Sequence, residues 1–196
     1  MRTSDKHQKI IHAAVKVFAE KGFFNARISD IAKAAKVADG TIYLYFNNKY
    51  DILISLFEEE IGKLIVQVKE AIEAESEPAA KLRTFALHHL RLLEENRELA
   101  EVLQVELRQS TIFMKEYRNL KFIEYLDIIS AIIQAGQQTG KFRPDLDPDL
   151  FKRAYFGALD ELSRLWILNP NLPLTIDQTA DQVCAIFHAG IINHPR

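Results

Sequence analysis

The chain has 196 residues, 48% hydrophobic and 27% charged, with a formal net charge of −2, which suits one or two soluble domains large enough to bury a real core. That balance argues against a protein that coats nucleic acid over its whole surface. No stretch approaches the ~18 uncharged apolar residues of a spanning helix, and MRTSDKHQK at the start lacks the apolar run of a secretory signal, so a cytoplasmic protein is expected.

The charge is unevenly spread. Residues 1–50 hold nine Lys and Arg against four Asp and Glu, a net of +5, which leaves 16 against 23, a net of −7, for the remaining 146. A basic head on an acidic body is the asymmetry of a DNA-reading domain joined to a regulatory one. Cys184 is the single cysteine. It excludes a disulfide framework or a cysteine-based zinc site within one chain, and it reads as a buried, inert thiol.

Thr3 to Glu20 has helical spacing of Ile10, Ile11, Ala14, Val17 and Phe18, and Gly22 stops it. Phe23 and Phe24 are expected to cover a small core with Ile28, Ile31 and Val37. A short helix follows from Ser29 to Ala35, with Ile28, Ile31, Ala32 and Ala35 on one stripe. After a turn at Lys36-Val37-Ala38, Asp39 is the expected N-cap of a second short helix, Thr41 to Phe46. Two short helices joined by three or four residues, the second rich in hydroxyls, is the helix-turn-helix pattern that lays its second helix in the DNA major groove.

Ile31-Ala32-Lys33-Ala34-Ala35, Val37, Gly40-Thr41-Ile42-Tyr43, Tyr45-Phe46 and Lys49 resemble the signature of TetR-type transcriptional regulators. VADGTIYLYF, Asp51 to Phe57 and Glu106-Leu107-Arg108-Gln109-Ser110 resemble one subgroup, the FadR-type repressors of fatty-acid degradation. Relatives usually carry Thr or Ser just before the second helix, where this chain has Ala26-Arg27. Ser29 is then the expected cap, and Arg27 a charged phosphate contact. Many relatives have Gly where Lys36 stands; a non-Gly residue in the left-handed region costs on the order of 1 kcal/mol, and Lys36 can face the DNA backbone. Thr41 and Tyr43 suit base edges and phosphates, Gly40 permits close approach to the duplex, and Lys49 adds a phosphate contact. Ile42 and Phe46 should face inward. The Tyr45 ring can pack while its hydroxyl reaches a phosphate.

From Tyr50 to about Glu75 the pattern is one long helix, a lever between head and body, and Ser76-Glu77-Pro78 ends it. The next helix, from Ala79 to about Glu95, carries Leu82, Phe85, Ala86, His89 and Leu92. His88 and His89 are adjacent, diverge on a helix and make poor metal-ligand spacing. A short helix from Arg97 to about Leu107 follows Asn96. Phe113 to Gln138 is apolar on more than one face and should be central. Asp147 caps the helix that Pro148 begins, and Thr175 with Gln178 makes a capping box for the last. No β-type alternation is present, so the expectation is an all-α chain of about nine helices. Its divisions are a three-helix DNA-binding domain over 1–50 and an effector-binding and dimerisation domain over 51–196.

One short reading helix distinguishes too few base pairs, so a homodimer on a palindromic operator is expected. The family resemblance implies that the last two helices pair with their copies, through Ala154, Ala158, Leu165, Ala180, Val183 and Phe187. The resemblance to FadR-type repressors implies an apolar tunnel for a long acyl chain. Phe85, Leu103, Leu107, Tyr117, Phe122 and Tyr125 are its candidates, with Ile129, Phe156, Leu159, Leu162 and Trp166. In the plain alternative these side chains simply fill one another. Arg83, Arg108, Arg118, Lys121 and Arg153 are the candidates for coenzyme A phosphates. The effector would be a long-chain acyl-CoA, with no metal or other cofactor. A repressor of another hydrophobic ligand, a DNA binder with no effector and an enzyme are the alternatives. The last lacks any nucleophile-base pair, metal spacing or Gly-rich phosphate loop, so no catalytic residue is assigned.

Overall fold

The computed structural model describes residues 2–103, 120–169, 171 and 173–193. Among these, nine helices and no strand occur: α1 (Arg2–Lys21), α2 (Ile28–Ala35), α3 (Asp39–Ile42), α4 (Lys49–Glu73), α5 (Pro78–Glu95), α6 (Arg97–Glu101), α7 (Leu120–Gln138), α8 (Pro148–Leu168) and α9 (Ile176–Ile191). Leu107, Arg108, Tyr117 and Arg118 lie outside the described residues. So does the expected stretch of helix before Leu120. The chain forms two compact units, Met1–Glu60 with Asn96–Arg118 and Ile61–Glu95 with Asn119–Arg196, and α4 runs through the boundary between Glu60 and Ile61.

In the first unit α1 buries Ile10, Ile11, Ala14 and Phe18. Gly22 closes it at φ +74°, its N–H donating to Phe18 O at 2.9 Å. The cap of α2 corrects the expectation for Ser29, which is exposed and lies inside the helix, two residues past the cap position. Arg27 is the cap residue, and the Asp30 carboxylate accepts its N–H at 3.0 Å and the Lys21 ammonium at 2.8 Å. Lys21 and the Arg27 N–H hold the Asp30 carboxyl below the ordinary range. α2 ends at Lys36, which stands in the left-handed region at φ 55°, ψ 46°, with Val37 N–H reaching back to Ala32 O at 3.0 Å. This is the left-handed helix close normally given to glycine.

α3 has four residues and begins at Asp39, so Asp39 occupies the first helical position. The cap is Ala38, whose side chain accepts nothing. Beyond Ile42 the chain winds in tighter turns: Leu44 N–H donates to Thr41 O at 3.2 Å and Tyr45 N–H to Ile42 O at 3.0 Å. Ile42 and Phe46 are buried, as is Phe23, but Phe24 is 56% exposed and does not join the core. Asn48 then caps α4, its Oδ1 accepting Asp51 N–H at 3.0 Å while Asp51 accepts Asn47 N–H at 3.0 Å. On α4, Ile52, Leu53, Leu56 and Phe57 are buried. Glu59 accepts Gln8 Nε2 at 2.7 Å from α1. α6 packs on α1, and Asn96 caps it by accepting Leu99 N–H at 3.0 Å.

In the second unit α7 packs against both α5 and α8, and α9 lies on α5. α7 buries Tyr125, Leu126, Ile128, Ile129, Ile132 and Ile133, which is the more-than-one-face burial its sequence indicates. The ring of Phe142 fills the space that a Cβ on Gly136 would take, so glycine there lets the segment after α7 fold back. There Arg143 N–H donates to Ile191 O at 2.9 Å and Asn193 N–H to Lys141 O at 3.1 Å, tying the end of α9 down. Asp147 caps α8 through Asp149 and Leu150 N–H at 2.8 and 2.9 Å, with Pro148 leading the helix. The Thr175–Gln178 box closes with bonds of 2.9 and 3.2 Å.

Candidate functional site

The reading element follows from what its backbone leaves outside. With Ile42 and Phe46 turned inward, Asp39, Gly40 and Tyr43 are exposed, and Thr41 and Tyr45 are half-buried. A Cβ added to Gly40 would meet nothing within 4 Å, so the start of α3 is open to close approach. Tyr45 lies edge-on to His7, ring centroids 6.3 Å apart, which is the packing half of its two readings. Arg27 and Lys36 are exposed around it, as is Lys33.

Lys49 departs from its expected role. Its ammonium donates to the carbonyl oxygens of Phe23, Phe24 and Ala26 at 2.5, 3.1 and 2.9 Å and lies 4.6 Å from the centroid of the Phe23 ring. Three N–H donors on three carbonyls leave none for a phosphate. Burial pulls its pKa below the ordinary lysine value. Lys49 is a clamp on the α1–α2 connection, and its assignment as a phosphate contact is withdrawn. Leu44, which the sequence reading passed over, is 80% exposed; its signal is an aliphatic side chain three residues after Thr41.

The second unit gathers several of the apolar candidates into one aromatic cluster. Phe85 and Tyr125 are 4.8 Å apart between centroids, Phe122 and Phe156 5.1 Å, and Tyr125 and Phe156 6.3 Å. His89 joins them, 5.3 Å from Phe156, with Nδ1 3.2 Å from the Tyr125 hydroxyl. Burial pushes the Tyr125 pKa far above the ordinary phenol value. Ile129 and Leu159 are buried, while Leu162 and Trp166 are half-buried. Leu103 is half-buried and belongs to the first unit. A separate polar pair stands at Tyr155, which donates to Leu82 O at 2.9 Å and touches Cys184 Sγ at 3.0 Å. Burial raises the Cys184 thiol pKa, in keeping with an inert thiol.

Three of the basic candidates, Arg83, Lys121 and Arg153, lie among the described residues, and two of them are paired. Arg83 Nε meets Asp181 at 2.5 Å and Lys121 meets Glu124 at 2.8 Å, whereas Arg153 is exposed. Among the described residues no group of three or more His, Cys, Asp or Glu could hold a metal ion, and no helix is long and apolar enough to cross a membrane.

Two of the expected dimer residues face inward: Ala180 and Val183 are buried in their own unit, because that face of α9 lies against the rest of the unit. Phe187 is half-buried and packs on Phe151 and Tyr155 at 5.6 and 5.1 Å. Ala154 and Leu165 are exposed and Ala158 half-buried. Other apolar residues join them on the outside: Leu150, Gly157 and Leu168 of α8, and Ala185, Ile186 (72% exposed), Ala189 and Gly190 of α9. Cβ atoms added to Gly157 and Gly190 would meet nothing within 4 Å.

Residues 10–56 match the family of bacterial regulatory proteins of the tetR family, and residues 57–190 match the YsiA-like protein C-terminal region. The fatty acid metabolism regulator protein of Bacillus subtilis is 43% identical over 164 residues, 84% of each chain. A solved structure of the transcriptional regulator FadR from Bacillus subtilis in complex with stearoyl-CoA is 39% identical. It covers 94% of this chain and 98% of its own at a TM-score of 0.87. The fatty acid degradation regulator FadR from Bacillus halodurans is 37% identical, covering 93% and 98%, at a TM-score of 0.86.

Proposed function

Because this chain belongs to the TetR family of bacterial regulatory proteins, we propose that it is a homodimeric DNA-binding repressor of fatty-acid degradation genes, released from its operator by long-chain acyl-CoA. The observation that carries this reading is the likeness to the stearoyl-CoA complex, which runs through both halves of the chain. Residues 1–50 are the DNA-binding domain in this reading and residues 51–196 the effector and dimerisation domain. It acts in the cytoplasm on a palindromic operator. The reading element is exposed where a duplex would meet it. Arg27, Lys36, Thr41 and Tyr43 supply phosphate and base-edge contacts, and Gly40 allows close approach.

The acyl chain is assigned to the aromatic cluster of Phe85, Phe122, Tyr125 and Phe156 with Ile129 and Leu159. Concave apolar sites between helices are where such ligands bind. Coupling runs along α4, one helix that serves both units. The effector must prefer the DNA-incompetent arrangement, and a preference of ~100-fold shifts the equilibrium by about 2.7 kcal/mol, enough to empty an operator.

The test is binding of a palindromic site, selected from a random duplex pool, with and without C16 to C18 acyl-CoA at fixed salt. The free fatty acid is the control. Release by the thioester and not by the acid is the expected result. Retention under both keeps the repressor and discards the acyl-CoA effector.

A further inference from the structure

We infer that Leu44 is a specificity-determining residue that reads the 5-methyl group of a thymine in the major groove; the inference rests on the DNA-reading role proposed above. After α3 the backbone bonds from Leu44 to Thr41 and from Tyr45 to Ile42 span three residues. In such a winding, side chains three apart lie one above the other. Ile42 and Phe46 are buried, Phe46 N–H also bonding back to Ile42 O, and Leu44, which bonds back to the carbonyl of the half-buried Thr41, stands above Thr41 on the outer side next to the exposed Tyr43. Leu44 is therefore carried outward by the same geometry that presents Thr41.

An aliphatic side chain left 80% exposed at this place has few partners available to it. It has no donor or acceptor, so it can match neither a phosphate nor a polar base edge. The thymine 5-methyl is the apolar group that the major groove offers. A protein partner would need a wider apolar patch. Of its exposed neighbours only Tyr43 is apolar in part, 57% exposed and carrying a hydroxyl, while Asp39, Gly40, Asn47 and Asn48 are polar or lack a side chain, so the apolar area is that of one or two side chains. The first 50 residues carry a net charge of +5, which complements a duplex.

The experiment replaces each thymine of the selected palindrome in turn by uracil, which removes the methyl group alone. Affinities are measured at fixed salt for the intact chain, for Leu44→Ala and for Tyr43→Phe. At one thymine of each half-site the intact chain is expected to lose about fourfold per half-site, the burial of one methyl group. Tyr43→Phe keeps that step, and Leu44→Ala binds the thymine and uracil duplexes alike. The inference is overturned if no thymine shows a methyl effect, or if Leu44→Ala retains it. Failure to enrich any sequence from the pool overturns the DNA-reading role as well, which separates the two failures.

Discussion

The ammonium of Lys49 lies 4.6 Å from the centroid of the Phe23 ring while it donates to the Phe23 carbonyl oxygen. The same group also holds the carbonyls of Phe24 and Ala26, so the first residue of α4 fixes the segment that leads into α2. Lys49→Met keeps the apolar stem but leaves three carbonyls without their donor, and it should destabilise the protein by about 2 kcal/mol. Its effect on DNA binding should be structural. Each phosphate contact that is lost lowers the slope of log affinity against log salt by about 0.9, whereas Lys49→Met should leave that slope unchanged where the variant is still folded. A reduced slope would return Lys49 to the DNA surface.

Lys36 closes α2 at φ 55°. The left-handed region costs a non-glycine residue about 1–2 kcal/mol, part of which Lys36→Gly gives back through the added freedom of the unfolded chain. A net gain of about 0.5 kcal/mol is expected, read as a higher Tm. Operator affinity should fall in the same variant as a phosphate contact is lost. If both Tm and affinity fall, the left-handed close is not strained.

The features that sequence made legible are those in which a residue type has a single local use. Asp147 before Pro148 and Thr175 paired with Gln178 each follow from backbone bonding within four residues, and each is present as expected. The choice between two uses of one side chain was not legible. A lysine stem can reach outward to a phosphate or fold back on carbonyls, and only the path of residues 23–26 decided it for Lys49. Phe23 and Phe24 are chemically alike, yet the turn buries one and exposes the other. On α9 the stripe of Ala180, Val183 and Phe187 and the opposite stripe of Ala185, Ile186 and Ala189 are both apolar, so periodicity cannot say which one meets the core.

Asp30 gives the acid behaviour of the first unit a definite sign. Lys21 and the Arg27 N–H hold its carboxyl below 3.8, so the carboxylate is favoured by folding. Its contribution is complete above the unfolded value and is lost as pH falls through the lower folded value. Asp30→Asn should therefore be less stable than the natural chain at pH 6, and the gap should narrow as pH falls from about 5 to 3 in parallel denaturant titrations. A gap that stays constant over that window would mean that the Asp30 contacts are not formed in solution.

The proposed homodimer can be tested through the two faces of α9, because they make opposite demands on a charge. Ile186 is 72% exposed, and Ala180 is 0% exposed within its own unit. If the outer stripe with Leu165, Gly157 and Gly190 meets a second copy, Ile186→Glu places a carboxylate at the interface twice in each symmetric dimer. It also removes an apolar side chain whose burial contributes about 1.5–3 kcal/mol. The dimer should weaken at least tenfold by sedimentation while the monomer keeps its helical spectrum and its Tm changes little. Ala180→Glu should instead unfold the second unit, since a charge would be buried there without a partner. A soluble, folded monomer from Ala180→Glu together with an unaltered dimer from Ile186→Glu would reverse the assignment of the two faces. An operator with two half-sites adds a second reading, because each Ile186→Glu protomer should bind its half-site independently and lose the steep concentration dependence of the intact chain.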